Sequence, residues 1–247
     1  SATATAEVVR RAAGGWRYRE MRSDPPAAWK QLAFDDSSAA AAEWLPCTLP
    51  AGYGTFGGLT LGTAVNGGPS ADRTRTFYFR KKFQVADPSA IESLTFRIRR
   101  DDGAIAWLNN DPTPIANSAD PHPAGVVPTP ATYATLAPNA TDSTSYHSFT
   151  VPAAKLVAGD NILAVEVHQT TITSSDLLLD CEFIATYLAP FELHLVRAGA
   201  TPALYWPDPN ATIETTTDFS GWTPIPGAES PLLLDFSVPK KFFRLRK

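Results

Sequence analysis

Asp101-Asp102-Gly103 sets two carboxylates side by side at the end of an alternating apolar run. Such oxygens suit sugar hydroxyls or a hard cation such as calcium. The same tripeptide also makes an ordinary β-turn, with one aspartate bonded to backbone N–H groups and Gly103 supplying positive φ. Both readings stand at this point. His168-Gln169 closes a strand-like run and offers an imidazole and an amide to a ligand or metal. The other histidines, His122, His147 and His194, are scattered, so a hydrogen-bonded structural His168 is the simpler expectation. Aromatic faces stack on the C–H faces of sugar rings while polar neighbours read the hydroxyls. Trp107 lies on an apolar run and is expected in the core, Tyr53 and Phe56 sit on a glycine-rich loop and are expected at a rim, and Trp44 fits either place. With Asn109 just beyond the Trp107 run, the ligand-binding candidates are Trp44, Tyr53, Phe56, Asp101, Asp102, Asn109, His168 and Gln169. No catalytic residue and no resident metal are assigned; calcium at the aspartates is the one cofactor considered.

Gly52, Gly54 and Gly57 match G-x-G-x-x-G, the spacing of dinucleotide-binding loops. That chemistry needs a buried strand before the loop and a helix N-terminus after it. Here Leu45-Pro46-Cys47-Thr48-Leu49-Pro50 precedes, with two prolines, and Leu59-Thr60-Leu61-Gly62-Thr63-Ala64-Val65 follows with no helical period. The nucleotide reading therefore fails on context. Catalytic signatures such as G-x-S-x-G and H-E-x-x-H are missing.

The elements that must position these residues read as strands. An alternating segment runs from Thr76 to Val85, a second through Ile91, Leu94, Phe96 and Ile98, a third over residues 161–168, and a fourth through Leu177, Leu179, Cys181, Phe183 and Ala185. Period-2 runs between turn residues describe an antiparallel sandwich or barrel. Only residues 26–34 suit a short helix. Seven prolines fall between Pro112 and Pro138, where an ordered crown is expected at one end of the sandwich. A boundary is set at Leu188-Ala189-Pro190, giving domains 1–188 and 189–247. The tail carries five or six short strands, at 191–196, 203–206, 212–216, 222–225, 232–236 and 241–245.

With 247 residues, 44% hydrophobic content and a net charge of −4, the chain can build a core and lacks a nucleic-acid footprint. The basic run Arg97-Ile98-Arg99-Arg100 reads as a solvated strand face. No apolar run approaches the ~18 residues of a membrane span. Cys47 and Cys181 are expected either as a disulfide, worth roughly 5 kcal/mol for so long a loop, or as two buried thiols.

An ordered set of short segments resembles the galactose-binding-like β-sandwich modules of secreted bacterial proteins of the Verrucomicrobia type. These are Gly15-Trp16-Arg17-Tyr18, Phe34-Asp35-Asp36-Ser37-Ser38, Gly52-Tyr53-Gly54, Tyr78-Phe79-Arg80-Lys81, Asp101-Asp102-Gly103-Ala104, Trp107-Leu108-Asn109, the run from Ala158 to Gln169, and Ser174-Ser175-Asp176-Leu177. The likeness covers about residues 7–187. The tail, with Leu204-Tyr205-Trp206-Pro207, Gly221-Trp222-Thr223 and Phe242-Phe243-Arg244-Leu245, resembles a small immunoglobulin-like β domain that ends proteins of the same kind. The resemblance implies an all-β fold, a galactose-binding-like jelly-roll sandwich followed by a small antiparallel domain, and a secreted or cell-surface location. Gly-Tyr-Gly is a surface loop in such modules. This chain departs from the family where Thr55-Phe56-Gly57 replaces an acidic residue and where Asn109-Asn110-Asp111 opens an insertion, both at the place of a ligand.

The expected function is a non-catalytic carbohydrate-binding accessory module. Its partners would be a polysaccharide or glycan and a parent secreted enzyme. The alternative is a structural subunit that assembles with copies of itself through its flat, alternating N-terminal arm at residues 2–9.

Overall fold

The computed structural model describes residues 3–10, 14–37, 43–116, 131–137, 145–188, 192–198, 201–206, 211–235, 237 and 241–246. Much of the proline-rich crown lies outside these residues. The chain divides into two compact units, Thr5–Thr186 and one built around Tyr187–Lys247.

The larger unit is a β-sandwich. Its strands are β1 (Thr3–Val9), β2 (Trp16–Arg19), β3 (Leu45–Cys47), β4 (Ala51–Tyr53), β5 (Thr63–Ala64), β6 (Thr76–Val85), β7 (Ile91–Asp101), β8 (Gly103–Leu108), β9 (His147–Val151), β10 (Gly159–His168) and β11 (Leu177–Leu188). One sheet runs β5-β4-β11-β7-β9, with β1 also on β11; the other runs β3-β2-β6-β10-β8. The alternation of β7 places Leu94, Phe96 and Ile98 inward, fully buried, and leaves Thr95, Arg97 and Arg99 partly exposed. Arg100 departs from the solvated-face expectation and is buried at the strand end. Between the sheets, Phe183 of β11 meets Phe83 of β6 at 6.0 Å and Phe96 at 5.2 Å. Such ring pairs add about 0.5–1.5 kcal/mol each beyond area burial.

The five-stranded sheet is covered on both faces. From Asn161 to His168 every residue of β10 is buried, and so is all of β8. Leu163, Val165 and Val167 share one face; Ile162, Ala164, Glu166 and His168 share the other, because side chains alternate along a strand. The second cover is built from loops. Trp29, Trp44 and Ala137, with Phe34 and Ala131, pack on Tyr78, Ile105, Trp107 and Ala164. Residues 26–34 do not form an α-helix: Ala27–Lys30 is a single 3-10 turn, closed by Trp29 N–H donating to Pro26 O at 2.9 Å. Pro25-Pro26 presets its entry, and buried Trp29 anchors it.

The glycine spacing has a packing explanation. Gly52 pairs with Leu178 across β4 and β11, and a Cβ there would lie 1.9 Å from Leu177 O. Gly54 has φ +100° and Gly57 φ +45°, the left-handed region that favours glycine.

The smaller unit has two three-stranded sheets. One joins β12 (His194–Ala198), β13 (Thr201–Tyr205) and β16 (Leu232–Leu233); the other joins β15 (Thr223–Pro224), β14 (Thr212–Thr216) and β17 (Phe242–Arg246). Leu204, Trp206 and Ile213 form its core, ringed by Leu193, Ile225, Phe243 and Leu245. The buried Glu214 carboxylate receives Arg244 at 2.6 Å and Arg246 at 3.4 Å.

Candidate ligand pocket

The outer face of the five-stranded sheet forms the floor of a cavity of about 570 Å³. The floor carries Tyr78 of β6, Trp107 of β8 and Glu166 of β10. Tyr78 and Glu166 are direct cross-strand partners, and Ile105 continues that row on β8. The 3-10 turn supplies one wall. The Trp29 ring stands at 72° to Tyr78, 5.3 Å away, and at 86° to Trp107, 6.1 Å away. Lys30 Nζ lies 4.2 Å from the centre of the Trp107 ring. Behind this wall Trp29 stacks on Trp44 at 6.2 Å. Arg80 pins the segment from below: it binds Asp36 at 2.7 Å and donates to the carbonyls of Gln31 and Phe34 at 3.2 and 3.4 Å.

Ala131 and Thr132 line the opposite wall. Their segment is tied down through buried polar side chains. Thr76 Oγ1 donates to Tyr133 O at 2.9 Å, and His168 Nδ1 lies 2.7 Å from Thr135 O. Ala137 N–H donates to Gln169 O at 2.8 Å. His168 Nε2 meets Glu166 Oε2 at 3.0 Å, so Glu166 faces the cavity while one of its oxygens is held by the histidine. The Tyr133 N–H donates to Asp24 Oδ1 at 2.6 Å, which fixes the second carboxylate of the cavity. Tyr78 is 1% exposed, and its hydroxyl has no hydrogen-bond partner among the described residues. Burial, then the charges of Glu166 and Asp24, raise its pKa well above the ordinary 10.0, so it stays a neutral hydroxyl. A neutral phenol beside two carboxylates, between two nearly perpendicular indoles, can grip a polar ligand with an apolar face.

The candidate residues read from the sequence go to several places. His168 and Trp44 lie directly behind the cavity walls, His168 fully buried. Tyr53, Asp102 and Gln169 meet elsewhere. Gln169 Nε2 donates to Tyr53 Oη at 2.6 Å, and Asp102 Oδ2 accepts from Thr170 N–H at 2.7 Å and Thr170 Oγ1 at 3.0 Å. Asp101, Asp102 and Phe56 are all buried, at 7%, 4% and 5% exposure, so Phe56 does not stand at a rim. Burial pushes the Tyr53 hydroxyl up to about 12. Asn109, with φ +54°, closes a turn by donating to Lys155 O and accepting from Ile162 N–H, both at 2.9 Å. The cavity itself is formed by Asp24, Trp29, Lys30, Tyr78 and Glu166, which sequence reading did not select, together with Trp107, which it assigned to the core. A carboxylate inside the apolar run of β10 was the available signal for Glu166.

Among the described residues no group of three or more His, Cys, Asp or Glu side chains is placed to hold a metal ion. Nor is any described helix long and apolar enough to cross a membrane.

No protein-family model and no curated protein sequence matches the chain. Solved structures similar to it include a Bacteroides uniformis β-glucuronidase, at 12% identity and a TM-score of 0.44, covering 100% of this chain and 28% of that one. A Bacteroides vulgatus β-glycosidase is similar at 11% identity and TM-score 0.39, covering 87% and 26%. A Ruminococcus gnavus β-glucuronidase follows at 7% and 0.38, covering 94% and 39%. The chain thus spans between about a quarter and two fifths of the length of these glycosidases.

Proposed function

We propose that this chain is a non-catalytic carbohydrate-binding module whose site is the cavity over the five-stranded sheet. The observation that carries this reading is the geometry of Trp29, Trp107 and Tyr78 around Glu166 and Asp24. Indole faces offer stacking surface to a sugar ring, and the polar groups between them can take its hydroxyls. The cavity volume falls within the ~300–1,000 Å³ range of small-molecule sites. One such site gives about −4 to −8 kcal/mol, millimolar to micromolar binding. In this reading residues 1–188 are a galactose-binding-like module, 189–247 are the smaller β domain, and the whole works at a cell surface or outside the cell beside a carbohydrate-active partner.

Titrating the full chain with a panel of soluble oligosaccharides, following heat and tryptophan fluorescence, tests the proposal. Binding should perturb the indole emission, and Trp29→Phe should weaken it by on the order of ten-fold. Silence across neutral, amino and acidic oligosaccharides, with the chain folded, overturns it.

A further inference from the structure

The cavity's polar atoms can be counted as donors and acceptors. Glu166 spends Oε2 on His168 and Asp24 spends Oδ1 on the Tyr133 N–H. The second oxygen of each carboxylate and the Tyr78 hydroxyl have no hydrogen-bond partner among the described residues. Three oxygen acceptors therefore belong to a cavity walled by aromatic rings, two on carboxylates that line it and one, the Tyr78 hydroxyl, buried in its floor. Three acceptors match the three N–H donors of a primary ammonium, and indole faces attract a cation through the ring quadrupole. The protein's own chemistry already shows this preference: the ammonium of Lys30 lies 4.2 Å over the Trp107 ring, and Lys30 borders the same cavity. A carboxylate ligand would meet two like charges and a single lysine there, which opposes binding.

Resting on the carbohydrate-binding reading above, we infer that the sugar taken by this cavity is an amino sugar with a free, protonated amine, which sits between Glu166, Asp24 and Tyr78 against Trp29 and Trp107. Lys30 is then a built-in competitor for the aromatic box. A buried hydroxyl without a partner is costly to keep, and the incoming ammonium supplies the bond that Tyr78 lacks.

The test compares three tetrasaccharides on the full chain at slightly acidic pH: β-1,4-linked glucosamine, its fully N-acetylated form, and the corresponding glucose oligomer. The glucosamine oligomer should bind about ten-fold tighter than either of the others, and its advantage should fade as pH rises and the amine loses its proton. Lys30→Met should tighten the glucosamine oligomer relative to the glucose oligomer. Tyr78→Phe, which removes only an unpartnered hydroxyl, should weaken the amine ligand more than the glucose oligomer. Equal binding of all three oligomers overturns the amine assignment while leaving a sugar pocket in place. Silence from all three, joined by silence from the wider panel, overturns the pocket reading beneath it. Weaker amine binding by Lys30→Met also counts against the inference.

Discussion

His168 Nε2 and Glu166 Oε2 lie 3.0 Å apart, two residues from each other on one face of β10, and both side chains are buried. The ring's other nitrogen reaches Thr135 O and Thr76 Oγ1 at 2.7 and 2.9 Å. A single imidazole thus ties the cavity floor to the segment that forms one wall.

Removing one partner of such a pair leaves the other buried and uncompensated. Glu166→Ala should lower stability by about 3 kcal/mol, and His168→Phe by a similar amount. The double variant should cost less than the sum, since the shared contact is lost only once. Urea unfolding of the four proteins measures this cycle; simple additivity would mean the two side chains are not coupled.

Glycine substitutions separate crowding from backbone conformation. Gly52→Ala forces a Cβ against Leu177 O at 1.9 Å, and the β4–β11 pairing must open, at a cost of about 1–3 kcal/mol or more. Gly57→Ala meets nothing within 4 Å but keeps φ at +45°, so it should cost only about 1–2 kcal/mol. Thermal or urea unfolding ranks the two, and a milder Gly52→Ala would contradict the close approach.

The sequence left the cysteines open between a disulfide and two thiols. Both are free and buried in the structure. Burial pushes the Cys47 thiol up to about 12 and raises Cys181 as well, so almost no thiolate exists at neutral pH. A thiol-specific disulfide reagent should label neither cysteine in the native protein and both in denaturant. Rapid native labelling of either would refute the packing of β3 or β11.

The smaller unit should be acid-sensitive through Glu214. Hydrogen bonding to Arg244, and then to Arg246, lowers the Glu214 pKa from its ordinary 4.5. A carboxylate with a depressed folded-state pKa contributes stability above its unfolded value and loses it as pH falls through the folded value. The contribution is therefore complete at neutral pH and drains away below about pH 4.5. Arg244→Met should destabilise at pH 7 and flatten the acid dependence. Thermal unfolding at neutral and acidic pH, followed by tryptophan emission, checks both.

The strands were legible because period-2 burial is a local signal. Leu94, Phe96 and Ile98 alternate with polar residues, and β7 turns the first set inward. The tail strands over 212–216 and 241–245 fall within a residue of β14 and β17. The cavity was not legible, because its parts meet only in three dimensions. Trp29, Trp107 and Ala137 are far apart in the chain yet belong to one cluster, and no spacing rule relates them. The glycine loop shows the converse. Its motif is visible in sequence, but the cause of its first glycine, the Leu177 carbonyl that crowds Gly52, is more than a hundred residues away. The N-terminal arm reads as an edge strand, and β1 adds to β11 of its own chain.

Because the five-stranded sheet is wrapped on both sides, the residues that floor the cavity are also beams of the protein's interior. Tyr78, Trp107 and Glu166 cannot be exchanged freely without loosening the frame. New preferences should instead be selected among Asp24, Lys30, Ala131 and Thr132, which top the cavity without spanning the sheet. Directed evolution of this chain would therefore find its tunable positions on the cavity walls and its lethal ones on the floor.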